Sequence, residues 1–175
     1  VIEGCGPLNV RFTNTSNSLT AATFRWDFGN GTTSNLVQPE DVVYPADLNG
    51  RDITYTVTME ATTPCGVSRQ TSTVLVKAAP ISVFSPDKTA GCSPFTVTFS
   101  NTSLGNNSSY TYDFGDGTTL TKTDKSNVSH TYNTIVVTNY VVKMTATNEC
   151  GTNESSYNIN VAPNDITAEM VVNSS

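Results

Sequence analysis

Lysine, glutamate and leucine are scarce in this sequence, and with them the strong helix formers. No segment shows a helical period. Charged residues make up 14% of the chain, with nine Lys and Arg against fifteen Asp and Glu, for a net charge of −6. Such a chain has no basic stripe with which to neutralise phosphates, so nucleic-acid binding is excluded. No run of 18 apolar residues is present, hence no transmembrane helix and no direct membrane insertion is expected. A basic-then-apolar leader does not open the chain at Val1, so any export signal is expected outside these residues. The chain has one histidine and one tryptophan.

Thr, Val, Tyr and Phe favour strands, and the abundant Asn, Gly and Ser supply turns. The composition points to an all-β protein. The order of residues adds a duplication. GCGPLNVRFTNTS (4–16) aligns with GCSPFTVTFSNTS (91–103), WDFGNGTTS (26–34) with YDFGDGTTL (112–120), and YTVTMEATTPCG (55–66) with YVVKMTATNECG (140–151). The offsets of 87, 86 and 85 residues define a unit of about 86, too long for a solenoid repeat and right for a small domain.

Within each copy apolar residues alternate with polar ones. Val10 and Phe12, then Val97 and Phe99, share one strand face. Tyr55, Val57, Met59 and Ala61, then Tyr140, Val142, Met144 and Ala146, share another. Short strands with turn signals between them predict a β-sandwich of about seven strands per copy. The expected domains are 1–78 and 79–162, arranged end to end, and TVLVKA (73–78) leads through Ala79 and Pro80 into the first strand of the second copy, ISVFSP (81–86). The first copy lacks a comparable leading strand, and 163–175 is expected to be the first strand of a following repeat or a linker.

The motifs W/Y-D-F-G-D/N-G-T, C-x-P-x-x-V-x-F-x-N-x-S and Y-x-V-x-M-x-A, with His130-Thr131-Tyr132 between the last two strand signals, resemble PKD domains over residues 1 to about 162. The first copy departs from this pattern, with Val42-Val43-Tyr44 in place of the His-x-Tyr element. The cysteine flavour is similar to PKD repeats in large surface adhesins of gliding Bacteroidetes. The resemblance implies two tandem Ig-like sandwiches that act as non-catalytic extracellular spacers or adhesion modules.

Each candidate site has a structural and a functional reading. Asp27 and Asp113 can accept hydrogen bonds from amides ahead of them in Asx-type turns, while Gly29, Gly31, Gly115 and Gly117 can take positive φ. Trp26 and Tyr112 then point into the core. The competing reading is calcium held by Asp113, Asp116 and Asp124, with the second copy the better candidate because Asn30 replaces Asp116's counterpart in the first. No cofactor is assigned. A phosphate loop is excluded because no helix follows. His130, lacking a counterpart in the first copy, reads as packing beside Tyr132, and no catalytic constellation recurs in both copies. Asn-X-Ser/Thr sequons at Asn14, Asn30, Asn101, Asn127 and Asn153 are treated as chance products of composition.

Repeat logic pairs Cys5 with Cys65 and Cys92 with Cys150. In an Ig-like sandwich those partners fall at opposite ends, whereas bridged Cα atoms approach within about 7 Å. In a head-to-tail array Cys5 comes near Cys150, the favoured inter-unit bridge, and Cys65 and Cys92 await partners in neighbouring repeats. Intra-unit bridges and four free thiols stay as alternatives. Either disulfide pattern places the chain in an oxidising compartment, at the cell surface. Two functions are carried forward. The first is a stiff stalk or adhesion segment of a bacterial surface adhesin linked to gliding, whose partners are neighbouring repeats and an extracellular ligand such as surface polysaccharide. The second is a polysaccharide- or collagen-binding accessory module of a secreted hydrolase.

Overall fold

The computed structural model describes residues 1–17, 21–106, 108–165 and 169–171, which form strands and loops with no helix among them. In the first repeat the strands are β1 (Ile2–Cys5), β2 (Leu8–Val10), β3 (Thr23–Asp27), β4 (Thr33–Ser34), β5 (Val42–Tyr44), β6 (Ile53–Thr63) and β7 (Gly66–Lys77). One sheet has the order β1-β7-β6-β3-β4, and β2 pairs with β5 in the other. In the second repeat they are β8 (Phe84–Pro86), β9 (Ala90–Cys92), β10 (Phe95–Asn101), β11 (Ser109–Asp113), β12 (Thr119–Lys122), β13 (Val128–Tyr132), β14 (Thr138–Asn148) and β15 (Gly151–Ala162). Their sheets run β12-β11-β14-β15-β9 and β13-β10-β8.

The two orders superpose strand for strand, except that β8 has no counterpart. Both copies open with a short strand running parallel to the last one. Cys5 lies opposite Lys77, and Cys92 opposite Ala162. A cis peptide before proline follows the cysteine in each copy, at Gly6–Pro7 and Ser93–Pro94.

Alternation buries the expected faces in the second copy, while Tyr55, Met59 and Ala61 of the first are half-buried. Val142, Met144 and Ala146 are fully buried, while Val141 before them and Lys143 among them face outward. Val10, Phe12, Trp26, Phe28, Tyr44 and Val57 pack with Val74 and Val76 in the first core. Phe84, Val97, Phe99, Tyr112, Phe114 and Met144 belong to the larger second core. Burying each such side chain contributes about 1.5–3 kcal/mol.

Two compact units result. One holds Val1–Ile81 with Leu104–Asn107 and Thr147–Thr152; the other holds Ser82–Ser103, Ser108–Ala146 and Asn153–Ser175. The first unit thus takes in two short segments of the second sequence repeat. Polar contacts inside that unit give the reason. Asn148 Nδ2 donates to the Ala78 carbonyl at 2.8 Å, Asn106 Nδ2 donates to Asp52 Oδ2 at 2.9 Å, and Ala78 N donates to Asp52 Oδ1 at 3.0 Å. Lys77 Nζ meets both Glu3 and Glu149, at 3.0 and 3.1 Å. Residues 163–165 and 169–171 are in no strand, and the rest of the strand expected over 163–175 lies outside the described residues.

Candidate functional site

Each D-F-G turn is two Asx turns in succession. Gly29 N donates to Asp27 Oδ1 at 2.9 Å, and Thr32 donates to Asn30 Oδ1 through its amide at 3.0 Å and its hydroxyl at 2.6 Å. In the second copy Gly115 N donates to Asp113 Oδ1 at 2.9 Å, and Thr118 donates to Asp116 Oδ1 at 3.0 and 2.6 Å. Gly29, Gly31, Gly115 and Gly117 all have positive φ. Gly115 has a second constraint, since a Cβ there would stand 2.7 Å from the Val141 carbonyl oxygen.

Trp26 and Tyr112 are buried, and so are the phenylalanines two positions on. Trp26 stacks with Phe28 at 6.2 Å and Tyr112 with Phe114 at 6.1 Å. The buried hydroxyl of Tyr44 donates to the Phe28 carbonyl at 3.0 Å, and that of Tyr132 to the Phe114 carbonyl at 3.2 Å. A tyrosine from the opposite sheet therefore ties down each turn. Burial, with a smaller contribution from Tyr55, pushes the Tyr44 phenol up to about 12. Sequence reasoning assigned no role to the phenylalanines or to these hydroxyls. Recurrence of Phe28, Phe114, Tyr44 and Tyr132 at matching places in both copies is the signal that could have shown them.

The second turn carries a contact that the first lacks. His130 Nε2 lies 2.7 Å from Asp116 Oδ2, and its ring stacks on Phe114 at 4.1 Å. In the first copy Asn30 and Val42 hold the two positions.

The aspartates proposed for calcium do not converge. Among the described residues no group of three or more acidic, histidine or cysteine side chains could hold a metal. Asp113 and Asp116 accept from the amides of Gly115 and Thr118, while Asp124 Oδ1 accepts from the Ser126 amide at 2.8 Å and meets Lys122 Nζ at 3.5 Å. Each of these Asx bonds uses the Oδ1 of its aspartate. Of the sequon asparagines, Asn101 is buried, with its Oδ1 accepting from Ser103 N at 3.0 Å. The Asn14 Nδ2 donates to the Val37 carbonyl at 2.9 Å. Asn30 is half-buried, whereas Asn127 and Asn153 are exposed.

Cys5 and Cys150 form a disulfide with Cα atoms 5.3 Å apart, closing a separation of 145 residues. Cys65 and Cys92 are free and exposed. The register explains the absence of a Cys5–Cys65 bridge. Cys5 stands opposite Lys77 at one end of β7, and Cys65 precedes Gly66 at the other. Twelve strand residues hold those ends roughly 35–40 Å apart.

Residues 77–162 match the family described as PKD domain. No curated protein matches the chain. Among solved structures, the PKD1 domain from the Vibrio cholerae metalloprotease PrtV is 26% identical, with 48% of this chain and 98% of that one covered and a TM-score of 0.38. The PKD1 domain of Vibrio anguillarum Epp is 22% identical over 49% and 95% of the two chains, with a TM-score of 0.36. The D00-D0 domain of Intimin is 19% identical over 91% and 93%, with a TM-score of 0.48. PKD domains are Ig-like modules of surface or secreted proteins, typically non-catalytic, and a disulfide fits that extracellular setting. The match over residues 77–162 supports a PKD-type domain there.

Proposed function

We propose that this chain is a load-bearing segment of a bacterial surface adhesin, a tandem of PKD-type units in a stiff stalk, linked to gliding. The observation that carries this reading is the Cys5–Cys150 bridge, which ties one sequence repeat to the other across 145 residues. Repeat equivalence extends the scheme. Cys92 occupies the place of Cys5, and Cys65 that of Cys150, so each is positioned to bridge the corresponding cysteine of a further repeat. The hydrolase-module reading has less support, because Trp26 is buried and offers no stacking surface for sugar.

Pulling the chain from its termini tests the proposal. The bridge encloses 145 residues and withholds roughly 500 Å of contour length. Oxidised chains are expected to extend by that much less than reduced ones and to hold under load. Equal extensions in the two states, or specific retention of the chain on insoluble chitin, cellulose or collagen, would overturn it.

A further inference from the structure

Among the described residues, the first unit leaves a groove where the second repeat is filled by its own leading segment. In the second repeat Ser82 N donates to Asn153 Oδ1 at 2.9 Å, and Ser82 Oγ donates to the Met144 carbonyl at 2.8 Å and lies 2.7 Å from Ser155 Oγ. Val83 N donates to Ser103 Oγ at 3.0 Å. Phe84 then turns inward against Phe99, Tyr112 and Tyr157, and β8 pairs antiparallel with the end of β10.

The four residues that hold Ser82 and Val83 have counterparts in the first copy. Ser103 corresponds to Ser16, Met144 to Met59, Asn153 to Ser68 and Ser155 to Gln70. All four line one groove of about 420 Å³, together with Phe24 and Ala61. That volume falls in the range of clefts that accept ligands. Burial repeats the contrast. Met144, Ala146, Tyr110 and Ser103 are buried, whereas Met59, Ala61 and Phe24 are half-exposed and Ser16 is exposed.

The sheet edge agrees. Where β10 runs to Asn101, β2 ends at Val10. The Gln38 side chain bonds the Phe12 carbonyl and, at 3.1 Å, the Asn14 amide, standing in for an extension of β5. Backbone groups alternate in direction along a strand, so Arg11 and Thr13 present theirs to the opposite edge. Their counterparts Thr98 and Ser100 face the leading segment in the second repeat, where Asp87 N donates to the Thr98 carbonyl at 2.9 Å and Ser85 is the partner of Ser100.

We propose that this groove is an acceptor site for an extended strand of the Ser82–Val83–Phe84 type. The strand carries a hydroxyl residue bonded across the groove, an aliphatic residue facing out and an aromatic residue directed toward Phe12 and Trp26, the counterparts of the Phe99 and Tyr112 on which Phe84 packs. Its edge pairs antiparallel with Arg11–Thr13. The occupant is a repeat-leading segment of the same polypeptide, standing ahead of Cys5 as Phe84 stands eight residues ahead of Cys92. Strand addition of this kind draws affinity from main-chain bonds and specificity from the side-chain pocket.

Two arms test this. In the first, a labelled peptide with the sequence of residues 81–87, ISVFSPD, is titrated into the 175-residue chain. Saturable binding is expected, at least tenfold weaker for ISVASPD and for the chain carrying Met59→Arg. In the second, residues 79–87 are fused directly ahead of Val1, which places them in the register of the second repeat. The fused chain is expected to melt several degrees higher than the same fusion with Phe84's copy changed to Ala. Equal melting of the two fusions would overturn the proposal even if the free peptide binds. Self-association of the unfused chain that Met59→Arg abolishes would assign the groove to a second copy and would also overturn it.

Discussion

His130 and Asp116 are joined across the second turn at 2.7 Å, and the first copy replaces both partners, with Val42 and Asn30. The turn itself is unchanged, because Asn30 Oδ1 accepts from Thr32 as Asp116 Oδ1 does from Thr118. The pair is thus an addition to a turn that closes without it.

Its contribution depends on pH. Burial pushes the Asp116 carboxyl up, but the Thr118 hydroxyl, His130 and the Thr118 amide outweigh that and hold it below the usual aspartate value. A carboxyl lowered in the folded state stabilises the protein above its unfolded value near 3.9 and loses that contribution as pH falls through the folded value. Asp116→Asn is expected to flatten the decline of stability below about pH 4, as followed by urea unfolding at stepped pH. At neutral pH, a cycle of Asp116→Asn and His130→Val should give a coupling of about 1 kcal/mol. Strict additivity would mean the contact stabilises nothing.

Two buried tyrosine hydroxyls should behave oppositely. Tyr132 donates to the Phe114 carbonyl, so Tyr132→Phe leaves that acceptor unpaired and is expected to cost about 1–2 kcal/mol. The Tyr112 hydroxyl and Asn101 Nδ2 are buried without a well-formed hydrogen bond. Burial raises the Tyr112 phenol, and the nearby Asn101 side chain only partly offsets this. Tyr112→Phe removes an unsatisfied group and should be neutral or slightly stabilising. Chemical denaturation of both variants checks the contrast, and a large loss in Tyr112→Phe would refute it.

Much of this was legible because the chain states its design twice. The alternation at Val97 and Phe99, or at Val142 and Met144, has one buried solution, and duplication separates turn chemistry from site chemistry. The hidden features depend on residues far apart in sequence. Asp116 gives no sign of reaching His130, since the bond crosses between sheets. Asp124 looked like a third ligand beside Asp113 and Asp116, yet Ser126 and Lys122, both within two residues, engage it first. The parallel β1–β7 pairing was hidden as well, because four residues are too few to show a period.

The turn glycines give a graded test. Gly115 and Gly117 both have positive φ, but a Cβ at Gly115 meets the Val141 carbonyl oxygen at 2.7 Å and one at Gly117 meets nothing within 4 Å. Gly117→Ala is expected to cost about 1 kcal/mol from backbone strain alone. Gly115→Ala should cost roughly 2–4 kcal/mol, since backbone on both sides must also shift. Equal losses in thermal or urea unfolding would show that the close approach does not matter.

The cysteines make the last prediction. Native, unreduced protein should present two thiols to an alkylating reagent, at Cys65 and Cys92, with peptide mapping finding Cys5 joined to Cys150. Cys5→Ser with Cys150→Ser opens a loop of 145 residues, for which chain entropy predicts a loss of about 5 kcal/mol. The loss should be seen whole only if the protein unfolds as one cooperative system. If the repeats melt independently, the loss falls on whichever unfolding step frees the bridge, and calorimetry resolves two transitions that draw apart on oxidation. A map that joined Cys5 to Cys65 would contradict the register of β1 on β7, because those residues stand at opposite ends of one twelve-residue strand.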